Sequence, residues 1–243
     1  MEQERTAIVT GAGRRVGREI ACSLLADGWA VIAHVRDDDD CVSDGAVRVA
    51  ADLEDIDSAE RIFAAGAGLP PIRLLVNNAA VFIHDSADGF DSDVFQSHMA
   101  VNVRAPLLLS ERFAAQHSGG DALIVNILDS KLFALNADFL SYTLSKQALA
   151  TATQLLARAF APKGIRVNGI APALMLQSPG QSEENFQAMH AANPLGRGVD
   201  PDDIAEAIRY LVAAAKVTGQ CLAIDSGHHF LQLARDVQFL RHE

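Results

Sequence analysis

The chain reads Thr10-Gly11-Ala12-Gly13-Arg14-Arg15-Val16-Gly17 directly after a short apolar run, Thr6–Val9, and at the start of a helical pattern over residues 16–27. Glycines at such a strand-to-helix turn allow a tight turn and a close approach of the backbone to a bound group. The free N–H groups at the start of the helix then favour a phosphate. A glycine-rich turn alone is a weak signal, but the strand and the helix on its two sides favour dinucleotide binding.

The alternation of short apolar runs with longer helical patterns continues along the chain. Strands are predicted at residues 6–9, 30–35, 46–50, 72–76, 122–127, 165–170 and 220–224, and helices at residues 16–27, 56–65, 93–117, 139–161 and 201–214. Strands that are apolar throughout are typical of parallel sheets covered on both faces. The sequence therefore predicts an α/β fold, a single doubly wound Rossmann domain over residues 1–243 with a parallel seven-stranded sheet and helices on both faces.

The composition argues against several classes of protein. The 243 residues are 49% hydrophobic, enough for a sizeable core, and the formal net charge of -11 argues against nucleic acid and anionic membranes as partners. Three distant cysteines predict neither a disulfide framework nor a zinc site. His228 and His229 lack a third ligand at suitable spacing, so no metal site is predicted. The start of the chain has no apolar targeting core, and a cytoplasmic protein is expected.

Two irregular segments and the end of the chain depart from this pattern. The acidic run at residues 37–40 is interpreted as a solvated loop. Residues 173–199 are long for a loop, and we expect them to form a substrate lid with a short helix at residues 183–192. The tail at residues 230–239 is too apolar for a free end, so we expect it to pack on the body of the protein or on a neighbouring subunit.

The end of the second predicted strand bears on which dinucleotide is bound. An acid there would hold the ribose hydroxyls of NAD, whereas a base would accept the extra phosphate of NADP. Arg36 lies nearest to the predicted strand end, although Asp37 follows it directly and the spacing does not separate the two. Arg14 or Arg15 could add a second positive charge from the glycine loop. We therefore predict that NADPH is preferred to NADH.

Tyr142 and Lys146 lie four positions apart in the long helical pattern at residues 139–161. Positions i and i+4 share a helix face, so the ammonium of Lys146 can lie beside the phenol of Tyr142 and lower its pKa. Such a tyrosine can act as an acid catalyst. In isolation, however, a tyrosine and a lysine at this spacing are usually a packing pair on an amphipathic helix.

Together with further motifs, these residues resemble the short-chain dehydrogenase/reductase family over essentially the whole chain. The matching motifs are the glycine loop, Asp52 after the third strand, Asn77-Asn78-Ala79-Ala80 after the fourth, Val101-Asn102-Val103, Tyr142 with Lys146, and Thr218-Gly219 before the last strand. The resemblance implies an NAD(P)H-dependent oxidoreductase and a homotetramer.

The resemblance also implies roles for individual residues. Asp52 would contact the adenine, Asn78 and Ala79 would line the cofactor, Lys146 would bind the nicotinamide ribose, and Asn102 would hold a water in a proton relay through Lys146. The residues expected to bind the cofactor are Gly11, Arg14, Arg15, Val16, Gly17, Arg36, Asp52, Leu53, Asn78, Ala79, Tyr142 and Lys146.

Three departures from the general family pattern are more informative than the agreement. The family usually has glycine where this loop has Arg15, a serine where this chain has Asp129, and Pro-Gly where this chain has Pro172-Ala173. Arginine in the loop and aspartate in the serine position resemble the pteridine reductase branch, which includes bacterial dihydromonapterin reductases. That branch also has an aromatic residue just after the Asn-Asn-Ala segment, where this chain has Phe82.

Each of these residues has a use if the substrate is a pterin. Phe82 would stack on the flat ring. Arg15 would reach from the loop to the pterin and the cofactor phosphate, and Asp129 with Tyr142 would take part in protonating a ring nitrogen. The alternatives are that Phe82 is core filler, that Arg15 is a surface charge and that Asp129 is a cap or turn residue.

The catalytic residues are thus predicted to be Asp129, Tyr142, Lys146 and Asn102, and the substrate-binding residues to be Arg15, Phe82, Asp129 and Tyr142. The predicted reaction is an NADPH-dependent hydride transfer to a C=N bond of a dihydropterin or dihydrofolate. Two alternatives stay open. One is a reductase or dehydrogenase of a non-pterin carbonyl or alcohol, and the other is a non-catalytic dinucleotide-binding protein.

Overall fold

The computed structural model describes residues 4–37, 40–178 and 180–240. Asp38 and Asp39 of the predicted acidic loop and Pro179 of the predicted lid therefore lie outside the described residues. The described part of the chain forms a seven-stranded sheet in the order β3-β2-β1-β4-β5-β6-β7, and all neighbouring strands are parallel. The predicted α/β fold is confirmed.

The strands are β1 (Thr6–Val9), β2 (Ala30–Val35), β3 (Val47–Ala50), β4 (Ile72–Asn77), β5 (Ala122–Ile127), β6 (Ile165–Pro172) and β7 (Cys221–Ile224). The helices are α1 (Arg15–Ala26), α2 (Ser58–Ala64), α3 (Ser92–Met99), α4 (Ala105–Gln116), α5 (Leu140–Phe160), α6 (Glu183–Ala191) and α7 (Pro201–Ala213). Every predicted strand is present, and so is every predicted helix, although the one at residues 93–117 is divided into two. The ends differ from the predicted ones by a few residues, which is the usual uncertainty of hydrophobic patterns.

The predicted helix at residues 93–117 is interrupted. A π-helical turn, Ala100–Arg104, lies between α3 and α4, and it contains Asn102. π-Turns insert an extra residue into a helix and often occur at functional sites. Hydrophobic periodicity did not reveal the interruption, because the residues on both sides keep a helical pattern.

Successive strand residues point to opposite faces of the sheet and enter two separate cores. In β1, Ala7 and Val9 belong to the core beneath α1 and α7, whereas Ile8 belongs to the core beneath α2, α4 and α5. Every residue of β1, β2 and β5 is buried. This explains why the strands are apolar throughout rather than alternating.

The order of the strands reverses next to β1, because the chain passes from β3 on one side to β4 on the other. In open parallel sheets such a reversal opens a crevice at the carboxyl ends of the strands, and ligands bind there. Thr10 connects the two sides, since its hydroxyl accepts hydrogen bonds from the backbone N–H groups of Asn78 (2.9 Å) and Ala79 (3.0 Å). None of the helices in the described residues is long and apolar enough to cross a membrane.

Candidate active site

The glycine loop closes tightly between β1 and α1. Gly11 has φ +66°, a backbone conformation that glycine adopts readily. A Cβ on Gly17 would lie 2.1 Å from the carbonyl oxygen of Gly11, so only glycine fits there. The start of α1 has no side-chain cap and no acidic residue in its first turn. Its free N–H groups and positive dipole therefore suit an anion such as a pyrophosphate.

His34 of β2 holds this loop through a hydrogen bond, a role that the sequence analysis did not predict. Its Nδ1 accepts a hydrogen bond from the N–H of Gly11 (3.2 Å), and its Nε2 lies 2.9 Å from the carbonyl of Ala51. Burial lowers the pKa of His34, so the ring is neutral and its Nε2–H donates to Ala51. One side chain thus fixes the ends of β1, β2 and β3. In the sequence, this role of His34 was signalled only by the presence of a polar residue within an otherwise apolar strand.

The charged residues predicted at the end of the second strand and after the third lie at the ends of β2 and β3. Arg36 follows β2 directly, its side chain is 69% exposed, and its Nε lies 3.1 Å from the Oδ2 of Asp37. Asp52 is exposed just after β3, where its Oδ1 accepts a hydrogen bond from the N–H of Glu54 (2.9 Å), and Leu53 is buried beside it. Asp37 is thus already engaged by the arginine beside it.

Asp129 and Tyr142 meet at the carboxyl end of β5. The Tyr142 hydroxyl donates a hydrogen bond to Oδ2 of Asp129 (2.8 Å), and Oδ1 accepts one from the N–H of Lys131 (2.8 Å). The second bond makes Asp129 the cap of a short 3₁₀ helix, Ser130–Leu132. Asp129 is therefore both the cap that one alternative proposed and a partner of Tyr142.

The electrostatics of this pair correct the prediction that Lys146 lowers the pKa of Tyr142. Burial raises the pKa of Tyr142 well above its usual value, and the charge and hydrogen bond of Asp129 raise it further. The Lys146 ammonium lies 5.6 Å from the Tyr142 ring centre and donates to the carbonyl of Ile127 (2.7 Å). The pKa of Tyr142 is thus set by burial and by the Asp129 carboxylate rather than by Lys146.

Burial also shifts the other two groups. It raises the pKa of Asp129, against the opposing effects of its hydrogen bonds and of Lys131 and Lys146. It lowers the pKa of Lys146 from 10.5 to about 8. A carboxyl whose pKa is raised and an ammonium whose pKa is lowered therefore lie within one cluster, which suits proton transfer.

The side chain of Asn102 joins the π-turn to its surroundings. Its Nδ2 donates to the carbonyl of Val81 (3.0 Å) and to the hydroxyl of Ser145 (3.0 Å), and its Oδ1 accepts from the N–H of Val81 (2.8 Å). These bonds connect the segment after β4 to α5. They use both N–H donors and one of the two acceptor positions of the amide oxygen, and a water bound by Asn102, as the relay requires, stays a prediction.

A cavity of about 220 Å³ opens beside the Asp129–Tyr142 pair, and its lining includes Arg15, Phe82 and Met175. Phe82 is 38% exposed and is not core filler. Its ring stacks on Phe139, with centres 4.2 Å apart and planes 16° apart, and meets Tyr142 edge-on at 4.7 Å. An aromatic side chain is thus held against the ring of Tyr142 in the lining of the cavity.

Arg15 connects the glycine loop to the segment after β6. Its guanidinium donates to the carbonyls of Gln177 (3.1 Å) and Leu176 (3.4 Å), so it is not simply a surface charge. Its φ of +52° is a conformation that suits glycine, the usual residue of the family at this position. Arg15 therefore has the backbone conformation of a glycine, and its side chain contacts the segment at residues 173–199. That segment contains the expected short helix, which is α6.

Two groups around the site were not found by sequence reasoning. Asp85 is buried, and its Oδ1 accepts a hydrogen bond from the N–H of Ser141 (2.9 Å), which caps the start of α5. Asp236, near the end of the chain, lies 2.8 Å from the Nζ of Lys131. Neither residue stands in a local motif, and each is more than 50 positions from its partner, so no sequence spacing signals these contacts.

Comparisons with known proteins agree with this geometry. The family model described as "Enoyl-(Acyl carrier protein) reductase", a model of the short-chain dehydrogenase/reductase family, matches residues 11–229. A crystal structure of FolM Alternative dihydrofolate reductase 1 from Brucella canis, complexed with NADP, has a TM-score of 0.89 at 37% identity and covers 95% of this chain and 96% of that one.

Two curated relatives have different substrates in their names. Dihydromonapterin reductase from Citrobacter koseri is 29% identical over 91% of this chain and 95% of its own length. L-xylulose reductase from Bos taurus is 30% identical over 92% of this chain and 96% of its own length. The chain belongs to the short-chain dehydrogenase/reductase family of oxidoreductases and resembles its pteridine reductase branch.

Proposed function

We propose that the protein is an NADPH-dependent reductase that transfers hydride to a C=N bond of a dihydropterin or dihydrofolate. The observation that carries the proposal is the partly buried hydrogen bond between Asp129 and Tyr142 beside an aromatic-walled cavity. Reduction of a C=N bond adds hydride to carbon and a proton to nitrogen, so it needs an acid close to the ring nitrogen. The similarity to dihydromonapterin reductase and to the Brucella enzyme supports this choice.

The loop and strand ends fit a dinucleotide with a 2′-phosphate. The uncapped start of α1 leaves N–H groups for a pyrophosphate, and the glycines let the loop pack closely against its surroundings. Arg36 follows β2 where the 2′-phosphate would lie. Asn78 and Ala79 are fixed by Thr10 at the opening of the crevice. When bound, NADPH supplies the hydride. Lys146 is proposed to hold the nicotinamide ribose.

Changing Arg36 to alanine should raise the KM for NADPH by about tenfold and leave that for NADH nearly unchanged. The reason is that a charge-assisted contact to the 2′-phosphate, worth about 1.5–3 kcal/mol when fully formed, is lost and NADH has no such phosphate. Steady-state kinetics with both cofactors measure this, with Arg209→Ala on α7 as a matched control. If the unmodified protein prefers NADH, Asp37 holds the ribose and the cofactor proposal is wrong.

The proton is proposed to pass through Tyr142 and Asp129. Tyr142 faces the cavity with its hydroxyl bound to Asp129, and the raised pKa of both groups keeps them protonated over a wider pH range. A proton given by Tyr142 can be replaced from Asp129 through their shared hydrogen bond. Lys146, held by Ile127 at the end of β5, stabilises negative charge that develops on the tyrosine oxygen.

The substrate ring is proposed to lie against Phe82, with Arg15 and residues 173–199 closing over it. A flat bicyclic ring offers the large face that an offset aromatic contact needs. The guanidinium of Arg15 already reaches the carbonyls of Leu176 and Gln177, so it can hold this segment, which we propose as a lid, against the glycine loop.

The homotetramer and the cytoplasmic location remain predictions.

Changing Phe82 to alanine should weaken pterin binding by about tenfold, because roughly 1.5 kcal/mol of stacking and burial is lost. The KM for the pterin and the Kd of an unreactive pterin, measured by fluorescence quenching, report the loss. Phe90→Ala is the matched control, since Phe90 is exposed on the same loop and packs on Phe95 outside the cavity. Unchanged pterin kinetics in Phe82→Ala would show that Phe82 has only a structural role.

A carbonyl or sugar reductase is the second candidate, because L-xylulose reductase is as similar in sequence as dihydromonapterin reductase. NADPH oxidation assays with dihydropterins, dihydrofolate and a panel of ketones and ketoses separate the two. Turnover of a dihydropterin or dihydrofolate with little turnover of carbonyls is the expected result. Active ketones with inert pterins would establish the second candidate instead.

A further inference from the structure

The C-terminal segment forms one wall of the cavity. We call residues 228–240 the strap. Arg235 pairs with Asp138 (2.8 Å), and the N–H of Asp236 donates to the same carboxylate (2.8 Å). The ring of Phe239 stacks on Phe139 with centres 5.9 Å apart. The predicted packing of the tail on the body of the protein is confirmed, and these contacts hold the strap against the loop that precedes α5.

Asp236 brings a second carboxylate into the cavity that holds Tyr142 and Phe82. Its side chain is only 13% exposed, its Oδ2 lies 2.8 Å from the Nζ of Lys131, and its Oδ1 accepts from the N–H of Gln238 (3.1 Å). A carboxylate has about four acceptor positions, so two bonds leave capacity for a ligand. Lys131 is itself held in place by the carbonyl of Asp138 (3.1 Å).

His228 lies in the same wall and has an unused polar atom. Its Nε2 is buried, and no hydrogen-bond partner for it is present in the part of the chain that the structure describes. Burial lowers the pKa of His228 against the opposing charges of Asp225, Asp129 and Asp236, so the ring is neutral and can carry one N–H donor. A buried polar atom without a partner is costly, and a ligand in the cavity would satisfy it.

We propose that Asp236 and His228 recognise the pyrimidinone edge of a pterin, with Asp236 accepting from the 2-amino group and N3–H, and His228 donating to the 4-oxo group. This inference rests on the proposed function. The edge presents two donors beside one acceptor, and the lining of the cavity contains both the carboxylate of Asp236 and the neutral imidazole of His228. Hydrogen bonds from paired donors to a carboxylate are strong and specific in direction. The opposite end of the ring is then left toward Tyr142 for reduction.

The test compares a 7,8-dihydropterin with the matching 7,8-dihydrolumazine, which carries an oxo group in place of the 2-amino group. The unmodified enzyme should prefer the amino compound by about 10- to 100-fold in kcat/KM, because the lumazine sets an acceptor against the carboxylate. In Asp236→Asn, which keeps an oxygen for Lys131 but offers N–H to the ring, the preference should fall to near parity. The change should appear in KM rather than in kcat.

Two further variants separate recognition from a structural role of the strap. Asp138→Asn removes the charge that pairs with Arg235 but keeps an oxygen that can accept from the N–H of Asp236, so it should keep the preference for the amino compound. Asp236→Glu keeps a carboxylate at a different reach and should keep part of the preference for the amino compound. NADPH affinity and circular dichroism check that each variant is folded.

The possible failures are distinguishable. If Asp236→Asn retains the full preference, or if Asp138→Asn loses it to the same extent, Asp236 does not read the ring edge and the inference is wrong. An unmodified enzyme that reduces neither ring system while reducing ketones would overturn the proposed function, and this inference with it. An active pterin reductase with no amino preference overturns the inference alone.

Discussion

Replacing Asp129 with serine should lower kcat for a dihydropterin by about 100-fold or more, with little change in NADPH binding. General acid–base groups typically contribute about 10²–10⁴-fold, and serine removes the carboxyl that lies 2.8 Å from the Tyr142 hydroxyl. Serine is also the usual residue of the wider family at this position, so the variant tests the carboxyl rather than the fold. Steady-state kinetics and fluorescence titration of NADPH measure the two effects.

Tyr142→Phe should give a similar loss, because it removes the other member of the same hydrogen bond. Losses from residues that act as a unit are not additive, so the double variant should be little worse than either single one. Should Asp129→Ser reduce pterins as fast as the unmodified enzyme with the same pH profile, the carboxyl has no special role. The main reason to choose a pterin substrate would then disappear.

The pH profile follows from the direction of the pKa shifts. The pKa of Asp129 is raised by burial, so its protonated form persists to higher pH than in a free aspartate. The pKa of Lys146 is lowered to about 8, so the cluster loses this positive charge as the pH rises through that value. Reduction consumes a proton and should be faster in mildly acidic buffer, with kcat falling above about pH 8. The apparent pKa of that fall belongs to the cluster rather than to one residue.

Gly17→Ala should weaken NADPH binding by about 100-fold and lower the thermal stability of the protein. The new Cβ would lie 2.1 Å from the carbonyl oxygen of Gly11, so the loop or α1 must move, and such overpacking costs about 1–3 kcal/mol. The displaced groups are those that the pyrophosphate is proposed to contact. Fluorescence titration with NADPH and calorimetric unfolding measure the two effects.

Gly89→Ala is the control for this variant, because a Cβ there meets only the Ser86 hydroxyl at an ordinary 3.4 Å. It should leave both the NADPH affinity and the unfolding temperature near those of the unmodified protein. An unchanged NADPH affinity in Gly17→Ala would mean that the dinucleotide does not approach this loop closely.

The sequence alone determined the layered fold and the position of the glycine loop within it. Strands that are apolar throughout, such as β5, must be covered on both faces, and the helical patterns between them supply the covering layers. The glycine loop could be recognised because the need for glycine there is local. Gly11 and Gly17 both lie where β1 turns into α1. Asp129 and Tyr142 could be paired in advance only through the resemblance to a family.

Only the tertiary structure decided how deeply these residues are buried and which charges surround them. The i, i+4 spacing placed Lys146 near Tyr142, but the pKa of Tyr142 depends on burial and on a carboxylate from a different segment, and these reverse the expected shift. Asp236 and His228 reach the cavity from the end of the chain, and no short-range pattern describes such contacts. Periodicity and spacing report which residues share a face. Desolvation and charge depend on distances in space, which the folded chain sets.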